Sequence, residues 1–215
     1  MQIDHIIIGV QDFEQAAERL LSRFGLRALP GGTHPTGTAN WSIPLEPPQY
    51  LELLGVGDAA QLAQSRVGQR FIERLSQGDY LVSWAVLVDD IAGFARRLAR
   101  PLIPGQVEGP DGTVGRWHTL LPPPEEFGTL PFFIEYEGTG RQERHREGWL
   151  RAASPAQPAS LAWIEVGGDH DRLVEWLGTA DLPVRSTGDK PGLRAIAIAS
   201  PSGEIIIRDE DLRED

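Results

Sequence analysis

A chain of 215 residues, 40% apolar and 24% charged, is long enough to bury a sizeable core and lies far from a disordered composition. A formal net charge of −11 argues against a nucleic-acid partner, which would need a basic patch to neutralise phosphate. With no cysteine, disulfides, thiolate metal sites and a cysteine nucleophile are excluded.

The opening Met1-Gln2-Ile3-Asp4-His5 has neither a basic region nor a small-residue cleavage site. No run of about 18 apolar residues is present to cross a membrane. Together these lead to the expectation of a soluble, cytoplasmic protein with no membrane partner.

Ile3 to Val10 reads as a buried strand, rich in β-branched residues. Asp12, with Gln15 three residues on, predicts a capped helix over Phe13, Ala16, Ala17, Leu20, Leu21 and Phe24, stopped by Gly25. The same opening recurs at Leu81–Val88 with Asp89-Asp90, and at Leu161–Val166 with Asp169. The strand-ending valines Val10, Val88 and Val166 are spaced by 78 residues each time, the strongest organisational signal in the chain.

Further strands are expected at Leu26–Leu29, Ala39–Leu45 and Gln49–Val56 in the first module, and at Leu102–Val107, Gly115–Leu121 and Leu130–Glu137 in the second. In the third they fall at Leu182–Arg185, Leu193–Ala199 and Glu204–Arg208. Turns are expected at Pro30-Gly31-Gly32, Pro47-Pro48, Gly109–Gly112, Pro122–Pro124 and Ser200–Gly203. Each module thus reads βαβββ, in an α+β fold. The expected organisation is a paired domain over 1–137 (modules 1–56 and 80–137, linking helix 58–77), a linker over 138–159 and a third module over 160–215.

Strand alternation places Tyr50, Glu52 and Leu54 on one face and Leu51 and Leu53 on the other. Glu135 falls opposite Phe132, Ile134 and Tyr136, and His5 shares a face with Ile3 and Ile7. Ionisable groups inside apolar strands need a partner or a ligand. His5 therefore reads as a ligand or pocket residue, or as a hydrogen-bonded strand histidine. There is no phosphate-loop lysine, no Gly-x-Ser-x-Gly elbow and no His-Glu-x-x-His.

The stretch Ile3-Asp4-His5-Ile6-Ile7-Ile8-Gly9-Val10 resembles the first strand of a vicinal-oxygen-chelate module. Thr33–Asn40, Tyr50-Leu51-Glu52-Leu53 and Leu130–Tyr136 resemble its glyoxalase-like branch more specifically. The resemblance implies two modules forming a cup and a third appended. It implies a divalent metal (Zn, Mn, Fe or Ni) at His5, Glu52 and Glu135, with Ser83, or Trp84 by a shift of one, at the fourth position. Glu52 or Glu135 would also act as the proton-transferring base. The implied activities are those of a metal-dependent lyase, isomerase or dioxygenase. The alternatives are a metal-free small-molecule binder of the resistance type and a non-catalytic interaction module.

The substrate-contacting candidates are His34, Asn40, Trp41 and Arg116, against plainer roles as loop, core or surface residues. Arg116 and the tryptophans hint at an anionic ligand with an apolar part. His118, His145 and His170 are expected on the solvent side. In the third module Leu161 replaces His5 and Ile207 the closing carboxylate, so a structural role is expected there: a lid, or a surface for a homodimer.

Overall fold

The structure, a computed structural model, describes residues 1–109, 111–138, 141–178, 181–188 and 190–213. Pro110, in one of the expected turns, lies outside them. The first module comprises β1 (Gln2–Gly9), α1 (Phe13–Phe24), β2 (Leu29–Thr33), β3 (Thr38–Pro44) and β4 (Tyr50–Val56). Two short helices, α2 (Ala59–Leu62) and α3 (Arg66–Leu75), lead to the second. That module comprises β5 (Tyr80–Leu87), α4 (Ile91–Leu98), β6 (Ile103–Glu108), β7 (Val114–Leu120) and β8 (Phe132–Tyr136). Helix α5 (Arg141–Ala152) precedes the third unit: β9 (Leu161–Gly167), α6 (His170–Leu177), β10 (Val184–Ser186), β11 (Gly192–Ser200) and β12 (Gly203–Arg208).

The local signals act as the sequence suggests. Asp12 accepts from Gln15 N to start α1, and Gly25, at φ 68°, takes the left-handed turn that ends it. The expected helix over 58–77 is broken in two, because Asp58 and Ser65 each cap a start of their own. The expected linker over 138–159 instead contains α5, packed over β3. Its polar composition concealed a helix with little apolar face to detect.

The first eight strands close into a barrel in the order β1-β4-β3-β2-β6-β7-β8-β5. The two modules meet at two seams. β1 and β5 run antiparallel from Gln2↔Leu87 to Gly9↔Tyr80, whereas β2 and β6 share the single pair Thr33↔Glu108. The Pro30-Gly31-Gly32 segment, expected as a turn, lies within β2. A Cβ would fall 2.4 Å from the Asn40 carbonyl oxygen at Gly31 and 2.0 Å from that of Glu108 at Gly32. These glycines let the backbones approach closely enough to close the barrel.

Outward side chains such as Ile6, Ile8, Leu51, Leu53, Trp84 and Phe133 join one core with the helices and the third unit. Inward chains form a separate cluster around Ile7, Ala85, Phe132 and Ile134, with Leu54, Val82 and Trp117 beside it.

The third unit has the expected βαβββ element order but not the strand order of the first two. There the first strand pairs with the fourth, in the order 1-4-3-2; here β9 lies between β10 and β11, in the order β10-β9-β11-β12. Its first strand has both neighbours already and cannot add to a barrel seam. Instead it docks against the barrel's outer face. Trp176 stacks on Phe133 at 5.7 Å and donates to the Pro131 carbonyl at 2.9 Å. Arg172 forks onto both Glu126 carboxylate oxygens at 2.8 and 3.0 Å. No helix among the described residues is long and apolar enough to cross a membrane.

Candidate functional site

The barrel interior is polar on one side, and a β-bulge creates that polarity. Between Ile3 and His5 the pairing of β1 with β5 slips by one residue, so Asp4 is the extra residue. Ile3 consequently packs outward while His5 turns inward with Ile7, correcting the expected shared face of Ile3 and His5. Asp4 is 0% exposed and His5 3%.

The Asp4 carboxylate accepts from His5 Nδ1 and from the Tyr136 hydroxyl, each at 2.8 Å. A carboxylate can only accept, so Nδ1 carries a proton and His5 Nε2 faces the interior. Tyr136 spends its one hydrogen on Asp4, so the Tyr50 hydroxyl, 3.2 Å away, donates to Tyr136. The Tyr50 ring also stacks on His5 at 4.6 Å. Burial, and then Tyr136, Asp4 and Glu52, push the Tyr50 phenol well above its ordinary range.

On β4, Glu52 faces inward between Tyr50 and Leu54, as alternation predicts, and is 7% exposed. Asn40 Nδ2 donates to Glu52 Oε1 at 2.8 Å, while Asn40 Oδ1 accepts from Gly32 N at 2.8 Å. The glycine segment at the barrel seam therefore fixes Asn40, and Asn40 fixes Glu52. The remaining oxygen, Glu52 Oε2, stands 3.6 Å from His5 Nε2. A continuous series of polar contacts thus runs from Tyr50 to Gly32, widest between the two groups best able to exchange a proton.

His34 stands near this site: its ring meets Trp117 edge-on at 6.0 Å and its Nδ1 lies 2.8 Å from Thr38 Oγ1. Burial holds its pKa below the ordinary imidazole value of 6.5, partly offset by Glu52. The unfolded chain therefore binds this proton at higher pH than the folded one. The stability contributed by a neutral His34 is present above pH 6.5 and lost as pH falls through the lower folded value. Replacing Glu52 with glutamine is expected to lower the His34 pKa further, read by NMR titration of the ring; an unchanged or raised value would refute the coupling.

The other sequence candidates lie elsewhere. Glu135 is on the outer face, where Oε2 accepts from Ile91 N at 2.8 Å and caps the start of α4. Trp41 also points outward and stacks on Phe13 of α1 at 5.6 Å. Arg116 is exposed, one residue out of phase with the inward Trp117. His118 pairs with Glu137 at 3.5 Å and His170 is exposed, but His145 of α5 packs edge-on against Tyr50 at 5.1 Å, against the expected solvent placement.

The module repeat explains why Glu135 is the wrong carboxylate. Ile7 lies beside Glu52, and Ala85, 78 residues after Ile7, lies beside Phe132. Phe132 therefore occupies the place equivalent to Glu52, and Ser83 that of His5. Trp84 packs outward, so Ser83 is the inward residue of the two. Its hydroxyl is buried without a hydrogen-bond partner.

These residues do not fit the chelated metal that the fold suggests. Two strong donors, His5 and Glu52, face each other, where held divalent ions usually take three or four protein ligands. Among the described residues no group of three or more His, Cys, Asp or Glu side chains is placed to hold a metal ion.

A family model described as a glyoxalase-like domain matches residues 3–181. The chain belongs to this glyoxalase-like family. No curated protein matches it. Among solved structures, a hypothetical protein from Staphylococcus aureus is similar, with a TM-score of 0.60 at 17% identity over 96% of this chain and 84% of its own. A variant methylmalonyl-CoA epimerase from Streptomyces coelicolor, in complex with 2-nitronate-propionyl-CoA, is 20% identical over 62% of this chain and 93% of its own, with a TM-score of 0.47. The Mycobacterium tuberculosis epimerase is 17% identical over 66% and 91%, with a TM-score of 0.45. These are likenesses of fold. In this glyoxalase-like chain the site had to be built from its own residues, and sequence reasoning missed Asp4, Tyr50 and Tyr136. The signal for Asp4 was its place beside His5 in an apolar strand, where buried polar side chains need partners.

Proposed function

We propose that this glyoxalase-like protein binds a small amphipathic molecule in its barrel and moves a proton on it, as an isomerase or lyase would, using His5 and Glu52 without a chelated metal. The observation that carries this reading is the 3.6 Å approach of His5 Nε2 to Glu52 Oε2, with each group oriented from behind. Asp4 holds the imidazole in the tautomer that presents Nε2, and Asn40 holds the carboxylate. Whichever of Nε2 and the Glu52 carboxylate is unprotonated can take a proton from the bound molecule, and the same proton, or one carried by the other group, can be returned at a neighbouring atom. The inward cluster of Ile7, Ala85, Phe132 and Ile134 beside this pair supplies an apolar surface for the rest of the molecule.

The reading is tested by incubating wild type and Glu52→Gln with a panel of small carbonyl compounds in deuterated water, following deuterium uptake by mass spectrometry. The expected result is uptake on one class of compound that persists after chelator treatment and falls about 100-fold or more in the variant. Uptake that requires one tightly held metal ion per chain would overturn the metal-free mechanism. Binding without exchange would favour the second reading, a non-catalytic binder, to which the largely apolar second-module wall also lends itself.

A further inference from the structure

We propose that the molecule held in the barrel carries a flat unsaturated ring, which stacks on the indole of Trp117. The proposal rests on the reading above for the place of the site. It does not rest on the reaction assigned there or on the charge of the ligand's polar end.

A glycine lays this indole down. Gly105 of β6 pairs with Trp117 of β7, so both face the barrel interior. A Cβ at Gly105 would fall 2.2 Å from Trp117 Nε1, 2.5 Å from Cε2 and 2.9 Å from Cδ1. A point that close to one ring atom and to both atoms bonded to it lies over the ring, not beyond its edge. The indole therefore rests on the bare backbone of β6, in the space that a side chain at 105 would fill. One of its faces is spent on that backbone, and the other looks into the barrel.

Among the described residues no ring lies parallel on that inner face. The two rings beside Trp117, His34 and Tyr136, stand at 89° and 60° to its plane, with centroids 6.0 and 6.3 Å away. Trp117 is half-buried, whereas the indoles of Trp84 and Trp176 are sealed into the core. There is also room beside it. Gly115 lies two residues earlier on the same face of β7, and an added Cβ there would meet a single atom, Val107 Cγ1, at 3.4 Å.

The same neighbours tie Trp117 to the polar pair. Tyr136 donates to Asp4, which holds His5 from behind, and His34 lies within reach of the Glu52 charge. A ring on Trp117 is thus bounded by groups that border His5 and Glu52. The apolar cluster around Phe132 accepts a saturated or an unsaturated group alike. An exposed indole face discriminates, because offset stacking of two π systems adds to the area buried.

The experiment compares benzyl alcohol with cyclohexylmethanol, which share a polar end and a carbon count but differ in having a flat or a puckered ring. Each is titrated into the full chain, and binding is followed by NMR shifts of the Trp117 indole N–H and the His34 ring. Cyclohexylmethanol is the more apolar compound, so the ratio of the two affinities is compared between wild type and Trp117→Leu. That substitution is expected to shift the ratio about 3-fold to 10-fold against benzyl alcohol. Gly115→Leu keeps the indole and fills the space beside it, and is expected to weaken benzyl alcohol about 5-fold or more. A ratio unmoved by Trp117→Leu, or benzyl alcohol binding unmoved by Gly115→Leu, would overturn the stacked ring and leave the barrel site standing. If neither compound shifts Trp117 or His34, the barrel site and the stacked ring both fail.

Discussion

Replacing Trp176 with alanine is expected to destabilise the protein by about 3–5 kcal/mol, the largest loss of any single substitution considered for the third unit. Trp176 is 1% exposed, so nearly all its surface would be exchanged for a void. The indole stacks on Phe133, whose backbone belongs to the barrel, and its Nε1–H reaches the Pro131 carbonyl. Its loss therefore removes packing and leaves an acceptor unpaired across the junction of the two sheets. Urea unfolding followed by far-UV circular dichroism measures the change. A transition that broadens or splits would show that this side chain couples the third sheet to the barrel. A loss below about 1 kcal/mol would mean that the junction collapses around the void and that the contact is dispensable.

Replacing Asp4 with alanine is expected to cost about 2–6 kcal/mol, because two buried donors, His5 Nδ1–H and the Tyr136 hydroxyl, lose their acceptor at once. The Asp4→Asn variant isolates the site effect from this loss of stability. Both donors share Asp4 Oδ2, so an amide oxygen in that place still accepts from each, but the negative charge that favours a proton on Nδ1 is gone. His5 is then free to exchange its tautomer, with Nδ1 losing the preference for carrying the proton. The 15N shifts of the two ring nitrogens report this directly: two well-separated signals in wild type, moved toward each other in Asp4→Asn. Unchanged ring shifts would show that the backbone, not Asp4, sets the tautomer.

Element positions were largely legible in the sequence, while the contents of the site were legible only in part. The 78-residue spacing, the aspartate caps and the strand alternation placed the barrel modules, and alternation alone turned Glu52 inward. Two physical effects defeated the rest. A bulge is a pairing event between strands, so the neighbouring Asp4 and His5 in an apolar run hint at buried polar partners but do not say which of them turns inward. Likewise, aligning Glu135 with Glu52 matched residue type, whereas the parallel pairing of β5 with β8 puts Phe132 in that place. In the third unit the spacing and cap recur faithfully, yet the strand order differs. Order is decided by which edges are free, and a linear pattern of strand and helix does not contain that information.

The unequal seams have a consequence for entry to the site. Seven matched residue pairs join β1 to β5, but one joins β2 to β6. Opening a contact costs roughly in proportion to the hydrogen bonds and packing released, so the two half-shells part at β2 and β6 long before they part at β1 and β5. The molecule is in this sense a clamshell, with a stiff spine and a light clasp. His5 lies on the spine, where its position is least disturbed. Asn40 takes its bearing from Gly32, one residue from the clasp, so parting the shells would slacken the hold on Glu52 as it admits a ligand, and reclosing would restore it.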